Sequence, residues 1–397
     1  MKNTNCRGLN SWISTVARHM PHLSKPQAVV LALWSFGMVS TQSCGLSTVS
    51  AFIARLLNKK ENTVRQQLRE WYWDADAKKG RKRQALDVTL SFTPLMGWVL
   101  SLWPKTQKRI AIALDATTLK DCFVVLSVSI VYRGCAIPVA WAVLLGNTKG
   151  AWKPHWLSLL KRLEDSIPPG WFVLVMADRG LYAKWLYQAI VLLGWHSFLR
   201  INRDGSYRPK GRSNFQSLHF AVPRVGCSWS GRVTCFRNRP IECTLLARWD
   251  EPYKEPWLIV TDLPAEQADV CWYAMRAWIE AGFKDLKRGG WRWNNTRMTD
   301  PSRVERHWLA MAVATLWAVS VGGKADANLP ESSIDELPEP HVAKERDGRK
   351  KSRPRLLSCF RRGIIAIIAS LIAGQAAPKG KFYPESWPTT VSMNDSS

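Results

Sequence analysis

Acidic side chains are scarce in this chain. Asp and Glu number 31 against 56 Lys and Arg in 397 residues, a formal net charge of +25. A folded protein this basic is matched to a polyanion, nucleic acid first and an anionic membrane surface second. Apolar runs of membrane length are also missing. The most apolar late segment, residues 364–373, is too short to span a bilayer, and the N-terminal stretch lacks a signal-peptide core. The sequence therefore predicts a cytoplasmic protein with no membrane partner. The nine cysteines include no C-x2-C pair, and Cys227, Cys235 and Cys243 have no His or Cys pair beside them at zinc-ligand spacing. A disulfide scaffold and a zinc module are thereby excluded, leaving reduced, mostly buried thiols. Internal repeats and a Gly-rich phosphate loop are absent too.

What is present is a globular composition, 46% apolar, with length for two or three domains. Residues 26–40 predict a helix with Pro26 at its start, and 47–57 a second. Asn62 then reads as the cap of a third, TVRQQLREWYW, with Arg65, Gln66, Gln67 and Arg69 exposed. Helix, short turn and a basic, amide-rich helix suit a helix-turn-helix-like DNA reader, with Arg65 and Arg69 as its DNA-binding residues. An ordinary helical bundle would look the same. The run KKGRKRQ (78–84) is a basic linker suited to phosphate contacts.

Residues 109–115 predict a buried strand ending in Asp115, and 122–134 with 135–145 a hairpin joined near Gly134. An amphipathic helix follows at 153–166. The strand 171–178 ends in Asp178, and DRGLY then leads into a helix reaching about residue 193. HSFLRI (196–201) is a fifth strand. Residues 203–262 alternate turn clusters with short β-rich runs and predict an inserted β-subdomain. Residues 323–355 are Pro-rich and charge-segregated, a flexible linker ahead of a terminal helix around 356–374.

The stretch YAMRAWIEAGFKDLK (273–287) organises the rest. Read as an α-helix, it places Tyr273, Arg276, Glu280 and Lys287 at roughly 0°, 300°, 340° and 320°. Four polar side chains thus share one narrow face. Trp272, Met275, Ile279, Phe283 and Leu286 form an adjoining apolar stripe, so the polar face lines a cleft beside the core. A surface helix with an Arg–Glu pair is the plain alternative.

The spacing Y-x2-R-x3-E-x6-K resembles the signature of the insertion-sequence-four-type family of bacterial DDE transposases. Tyr273, Arg276, Glu280 and Lys287 match it without a gap. ALDAT then supplies Asp115 as the first acid and MADRGLY supplies Asp178 as the second. The order βββαβαβα with these acids resembles the ribonuclease-H-like core of such enzymes.

The resemblance implies an α/β fold: a ribonuclease-H-like catalytic core, a mixed sheet flanked by helices, over 105–202 and 263–322. The core would be interrupted by the inserted β-subdomain (203–262), preceded by a helical DNA-binding domain (1–90) and followed by the linker and a C-terminal helix and tail (356–397). Asp115, Asp178 and Glu280 become the catalytic, metal-binding carboxylates for two Mg2+ or Mn2+ ions. Tyr273, Arg276 and Lys287 become handlers of end phosphates. Trp257, with Trp249 and Trp229 as competitors, becomes the residue that stacks on a flipped base. The partner implied is double-stranded DNA, at transposon ends and target, with self-association into a dimer on it, in a bacterial, nucleoid-associated setting. The activity implied is strand cleavage, hairpin formation and strand transfer. A structure-specific nuclease on the same fold, and a catalytically silent DNA-binding repressor, are the alternatives.

Overall fold

The computed structural model describes residues 7–78, 84–147, 152–251, 253–327 and 357–390. Most of the basic run (79–83) and of the linker (328–355) lies outside them. Four helices open the chain: α1 (Arg7–His19), α2 (Lys25–Thr41), α3 (Leu46–Leu57) and α4 (Glu61–Glu70). A fifth, α5 (Phe92–Ser101), leads into strands β1 (Arg109–Leu119), β2 (Phe123–Tyr132) and β3 (Cys135–Leu145). Then come α6 (Trp152–Arg162), β4 (Phe172–Ala177), α7 (Lys184–Leu192) and β5 (His196–Arg200).

Ten strands form one continuous mixed sheet, the first five in the order β3-β2-β1-β4-β5 with the later five continuing beyond β5. The β2–β3 hairpin turns where Tyr132 faces Cys135, with Arg133 and Gly134 both at positive φ (45° and 76°). That is the backbone a two-residue hairpin needs to match strand twist, and Gly supplies it without a Cβ clash. β1 and β4 run parallel, α6 returning the chain from β3 to β4, and their register ends at Leu114 beside Ala177. Asp115 and Asp178 are the next residues on each chain, so adjacency of the two acids is a consequence of strand register. β1 itself does not stop at Asp115. It continues antiparallel to β2 as far as Leu119, with Asp115 opposite Ser127.

Residues 203–262 do not make a sheet of their own. They supply β6 (Ser206–Pro209), β7 (Gln216–Ser217), β8 (Ser228–Cys235), β9 (Ile241–Arg248) and β10 (Trp257–Thr261). β10 pairs antiparallel with β5, so these strands extend the central sheet outward.

The core is built around the longest described helix, α9 (Pro301–Asp326). Asp300 caps it by accepting from the Ser302 and Arg303 amides, and Pro301 sits at its first position. α9 is long and apolar enough to cross a membrane, but its surface is almost wholly buried inside this fold. It runs past residue 323, so the start of the expected linker is helical. The N-terminal helices share its core. Trp12 stacks on Trp317 with ring centroids 4.0 Å apart. Arg306 of α9, only 8% exposed, donates to the Tyr72 and Leu86 carbonyls and pairs with Asp74. α4 starts at Glu61 after Lys60, placing Asn62 within its first turn rather than at its cap. Arg65, Gln66, Gln67 and Arg69 are half-buried rather than exposed, because one side of α4 leans over α3 and the neighbouring turn.

On its other flank α9 meets α10 (Cys359–Ile372). The two backbones touch: a Cβ on Gly363 would lie 1.7 Å from the Ala318 carbonyl oxygen, and one on Gly322 would lie 1.9 Å from that of Cys359. Beyond α10 the chain straps across the molecule. Lys381 bonds Ser320, Phe382 bonds Leu102, and Arg133 holds the Tyr383 carbonyl at 2.7 Å. Trp387 then covers Arg109, whose guanidinium carbon is 3.5 Å from the ring centroid.

Candidate active site

The organising stretch is not one regular α-helix. Residues Val270–Ala277 wind as a 3-10 helix, α8 (Trp278–Lys284) is α-helical, and Asp285–Gly289 widen into a π turn. Cys271, Trp272, Tyr273, Ala274 and Met275 are all buried, which no one-sided helix can achieve. They are enclosed from two directions. β1 and β4 lie on one side, and on the other Trp387 packs at 5.2 Å from Trp272 while Trp257 packs at 5.5 Å from Tyr273. α8 descends directly onto β3, where Gly282 is needed: a Cβ there would come 2.7 Å from that of Ala136.

This descent brings the acid of α8 to the two strand acids. Arg276 Nη2 donates to Asp115 Oδ2 at 2.7 Å and to Asp178 Oδ2 at 3.4 Å, while its Nη1 pairs with Glu280 Oε1. Three carboxylates that are far apart in sequence therefore meet at one guanidinium. The remaining strand oxygens are fixed by backbone. Asp115 Oδ1 accepts from the Ala116 amide at 2.8 Å. Asp178 Oδ1 accepts from Gly180 and Leu181 at 3.0 and 3.1 Å, a turn that orients its other oxygen towards the cluster.

Burial pushes the Asp115 carboxyl up to about 6. Asp178 and Glu280 add to that shift, and Arg276 and the Ala116 amide oppose it. Burial alone would pull the Arg276 guanidinium down, but Asp115, Tyr273, Asp178 and Glu280 together hold it above its ordinary value. A raised Asp115 value means that the folded chain holds a proton more tightly than the unfolded one. Its stabilising contribution is full below about 3.8 and is lost as pH rises through about 6. Urea unfolding of the wild type should therefore lose about 2–3 kcal/mol from this group between acid and neutral pH, and Asp115→Asn should flatten that slope. Parallel stability–pH curves for the two proteins would show that Asp115 ionises normally.

The donor chemistry of the cluster suits a hard divalent cation, being carboxylate oxygen throughout and already gathered around positive charge. Among the described residues, however, no group of three or more His, Cys, Asp or Glu side chains is placed to hold a metal ion. The arginine is the cation that the three acids share.

The other residues singled out from sequence lie at varying depths. Tyr273 is 5% exposed, and burial raises its hydroxyl to about 12. Lys287 lies within the π turn, half-buried, with no acidic partner among the described residues. Trp257 is also 5% exposed, its ring covered by Tyr253 and Tyr273, so it presents no open face. Trp229 and Trp249 are half-buried, the first against Tyr207 and the second under Arg203. Arg65 and Arg69 lie on α4, outside the carboxylate cluster.

One layer beside the cluster escapes sequence reasoning. Arg200, at the end of β5, lies 6.0 Å from the Tyr273 ring and pairs with Glu255 at 3.6 Å; Arg179 takes the same Glu255. The signal was an arginine closing the apolar strand HSFLR.

With this geometry in place, comparison with known families is informative. A family model described as a transposase DDE domain matches residues 107–317, more than half of the chain and the whole span from β1 through the carboxylate cluster into α9. No curated protein matches the chain.

Proposed function

The chain belongs to the transposase DDE-domain family, and from that premise we propose that it is the transposase of a bacterial insertion sequence of the Y-R-E-K type. In this reading it binds the element's terminal inverted repeats, cleaves there, forms and reopens hairpin ends, and joins them to target DNA. The observation that carries the reading is the meeting of Asp115, Asp178 and Glu280 at Arg276. Every proposed step is a displacement at phosphorus, so one set of carboxylates serves them all.

Asp115, Asp178 and Glu280 would together hold two Mg2+ or Mn2+ ions. Such ions, when bound, supply nucleophile activation and charge neutralisation at the leaving oxygen. Ligation by the three acids requires Arg276 to release them. Its planar fork is then free to grip two oxygens of a strand-end phosphate, with Tyr273 and Lys287 as its proposed companions. Trp257 as a base-stacking residue requires Tyr253 and Tyr273 to move aside. Arg65 and Arg69 of α4 are the proposed contacts to end DNA, with the protein acting as a dimer on DNA in the cytoplasm, at the nucleoid.

The test is incubation of the full chain with Mg2+ and duplex DNA carrying the element's own ends. Nicks, hairpins and joined products are expected. Nicks without joining would favour a structure-specific nuclease, and DNA binding without cleavage a silent repressor.

A further inference from the structure

A second concavity lies apart from the carboxylates. A cleft of about 710 Å3 opens between the α3–α4 region and the turn that follows the box, residues 292–303. Its lining includes five arginines, Arg65 and Arg69 from α4 and Arg292, Arg297 and Arg303 from the turn and the start of α9. The acid lining it is Asp300, which is already engaged in capping α9 and lies 3.8 Å from Arg303. Arg65, Arg292 and Arg297 have no acidic partner among the described residues. The arginines converge: burial raises the Tyr72 hydroxyl, and the fields of Arg69, Arg303 and Arg65 all pull it back.

Two further features point to an anion. The N-terminus of α3 faces the same space, with Gly45, Leu46, Ser47 and Thr48 in the lining and no side chain capping it. First-turn amides of a helix have no intrahelical acceptor and carry the positive end of its dipole. At the back of the cleft sits His307, 2% exposed; burial drives its imidazole down to about 4, against the opposing pull of the Cys44 backbone that meets the ring. The side-chain Nε of Arg65 is buried without an acceptor. Arg292 holds a left-handed backbone (φ 58°), a conformation that costs energy for a residue with a Cβ and is kept where the surroundings enforce it. Donors are in excess here and acceptors are lacking.

We propose that this cleft grips the phosphodiester backbone of duplex DNA, with α4 and the turn after the box acting as two sides of one clamp. The inference rests on DNA being the partner, as argued above, and adds where and by what the backbone is held. It also changes the role of α4. Arg65 and Arg69 face a cleft whose other wall follows closely after the box in sequence, so DNA held there is fixed in relation to the box.

The experiment uses the full chain and a fluorescent duplex of about 30 bp, with affinity measured between about 50 and 200 mM salt. Arg69→Ala, Arg292→Ala and Arg297→Ala should each weaken binding about 3–10-fold and make the log–log salt slope shallower by about 0.9, the signature of one lost phosphate contact. Arg18→Ala and Arg55→Ala remove the same charge from exposed positions on α1 and α3 away from the cleft lining and should leave the slope within error of wild type. Arg297→Lys should recover most of the slope, since a point charge still meets a phosphate. Unchanged melting temperatures separate lost contact from lost fold. If cleft and control variants behave alike while the wild type binds, the clamp is wrong and the DNA reading stands. If inorganic phosphate binds in the cleft but its variants leave DNA affinity unmoved, the site is one for small anions and the proposal falls. If the wild type ignores DNA at low salt, the DNA reading fails and takes the clamp with it.

Discussion

Asp115→Asn is expected to leave the protein folded and bound to end DNA while strand cleavage falls by at least about 10²–10³-fold. Asp178→Asn and Glu280→Gln should do the same. Each substitution keeps side-chain shape but removes a negative charge from the point where three chain segments converge. The loss would belong to chemistry, because the proposed DNA contacts are arginines elsewhere. Asp115→Asn should even be the more stable protein near neutral pH, since an amide does not suffer the burial that drives the Asp115 carboxyl to about 6. A nicking assay with Mg2+ and an affinity measurement on the same preparations decide the matter. Cleavage by any of the three above about one hundredth of wild type would remove that residue from the catalytic set.

Arg276→Ala should have the second largest effect, of a different kind. In the free protein the guanidinium pairs with all three acids, so its removal leaves them facing one another and lowers stability. With DNA and divalent ions present, the proposed reading assigns the arginine to the strand-end phosphate. First-strand nicking should then survive within about tenfold, while hairpin formation, which holds the end bent, should drop by about 10²-fold. Because the arginine and a divalent ion compete for the same oxygens, Mn2+ should also raise the melting temperature of the variant more than that of wild type. Equal loss of nicking and hairpins, with no added response to Mn2+, would make Arg276 a structural prop.

Much of this site was legible because its parts obey strand and helix periodicity. The runs RIAIALD and WFVLVMAD announce buried strands by unbroken apolar character, and parallel register does the rest in bringing Asp115 beside Asp178. The box spacing located Arg276 and Glu280 on a shared face, and the 3-10 to α transition preserves that pairing. What periodicity could not foresee is enclosure. CWYAM is buried on all sides only because β10 and the C-terminal strap arrive from distant sequence, and that burial also conceals Trp257 and Tyr273. Arg65 and Arg69 looked exposed on a helical wheel, yet the opposing wall of their cleft comes from more than 200 residues later. A side chain's partner across such a separation is set by tertiary packing, to which local pattern is blind.

The interlocked glycines of α9 and α10 carry a consequence for how the protein is made. Gly322 and Gly363 let two backbones meet with no side chain between, and the strap behind α10 seals Trp272 and Arg109 under Trp387. A growing chain that has emerged only as far as α9 exposes that flank of its central helix bare and apolar, and the segment bearing Arg276 has no lid. Until α10 and the strap have been made, chaperones are the natural cover for the exposed surface. A copy cut short before α10 would carry all three carboxylates in its sequence and still lack the lid over Trp272 and Arg109 beside them.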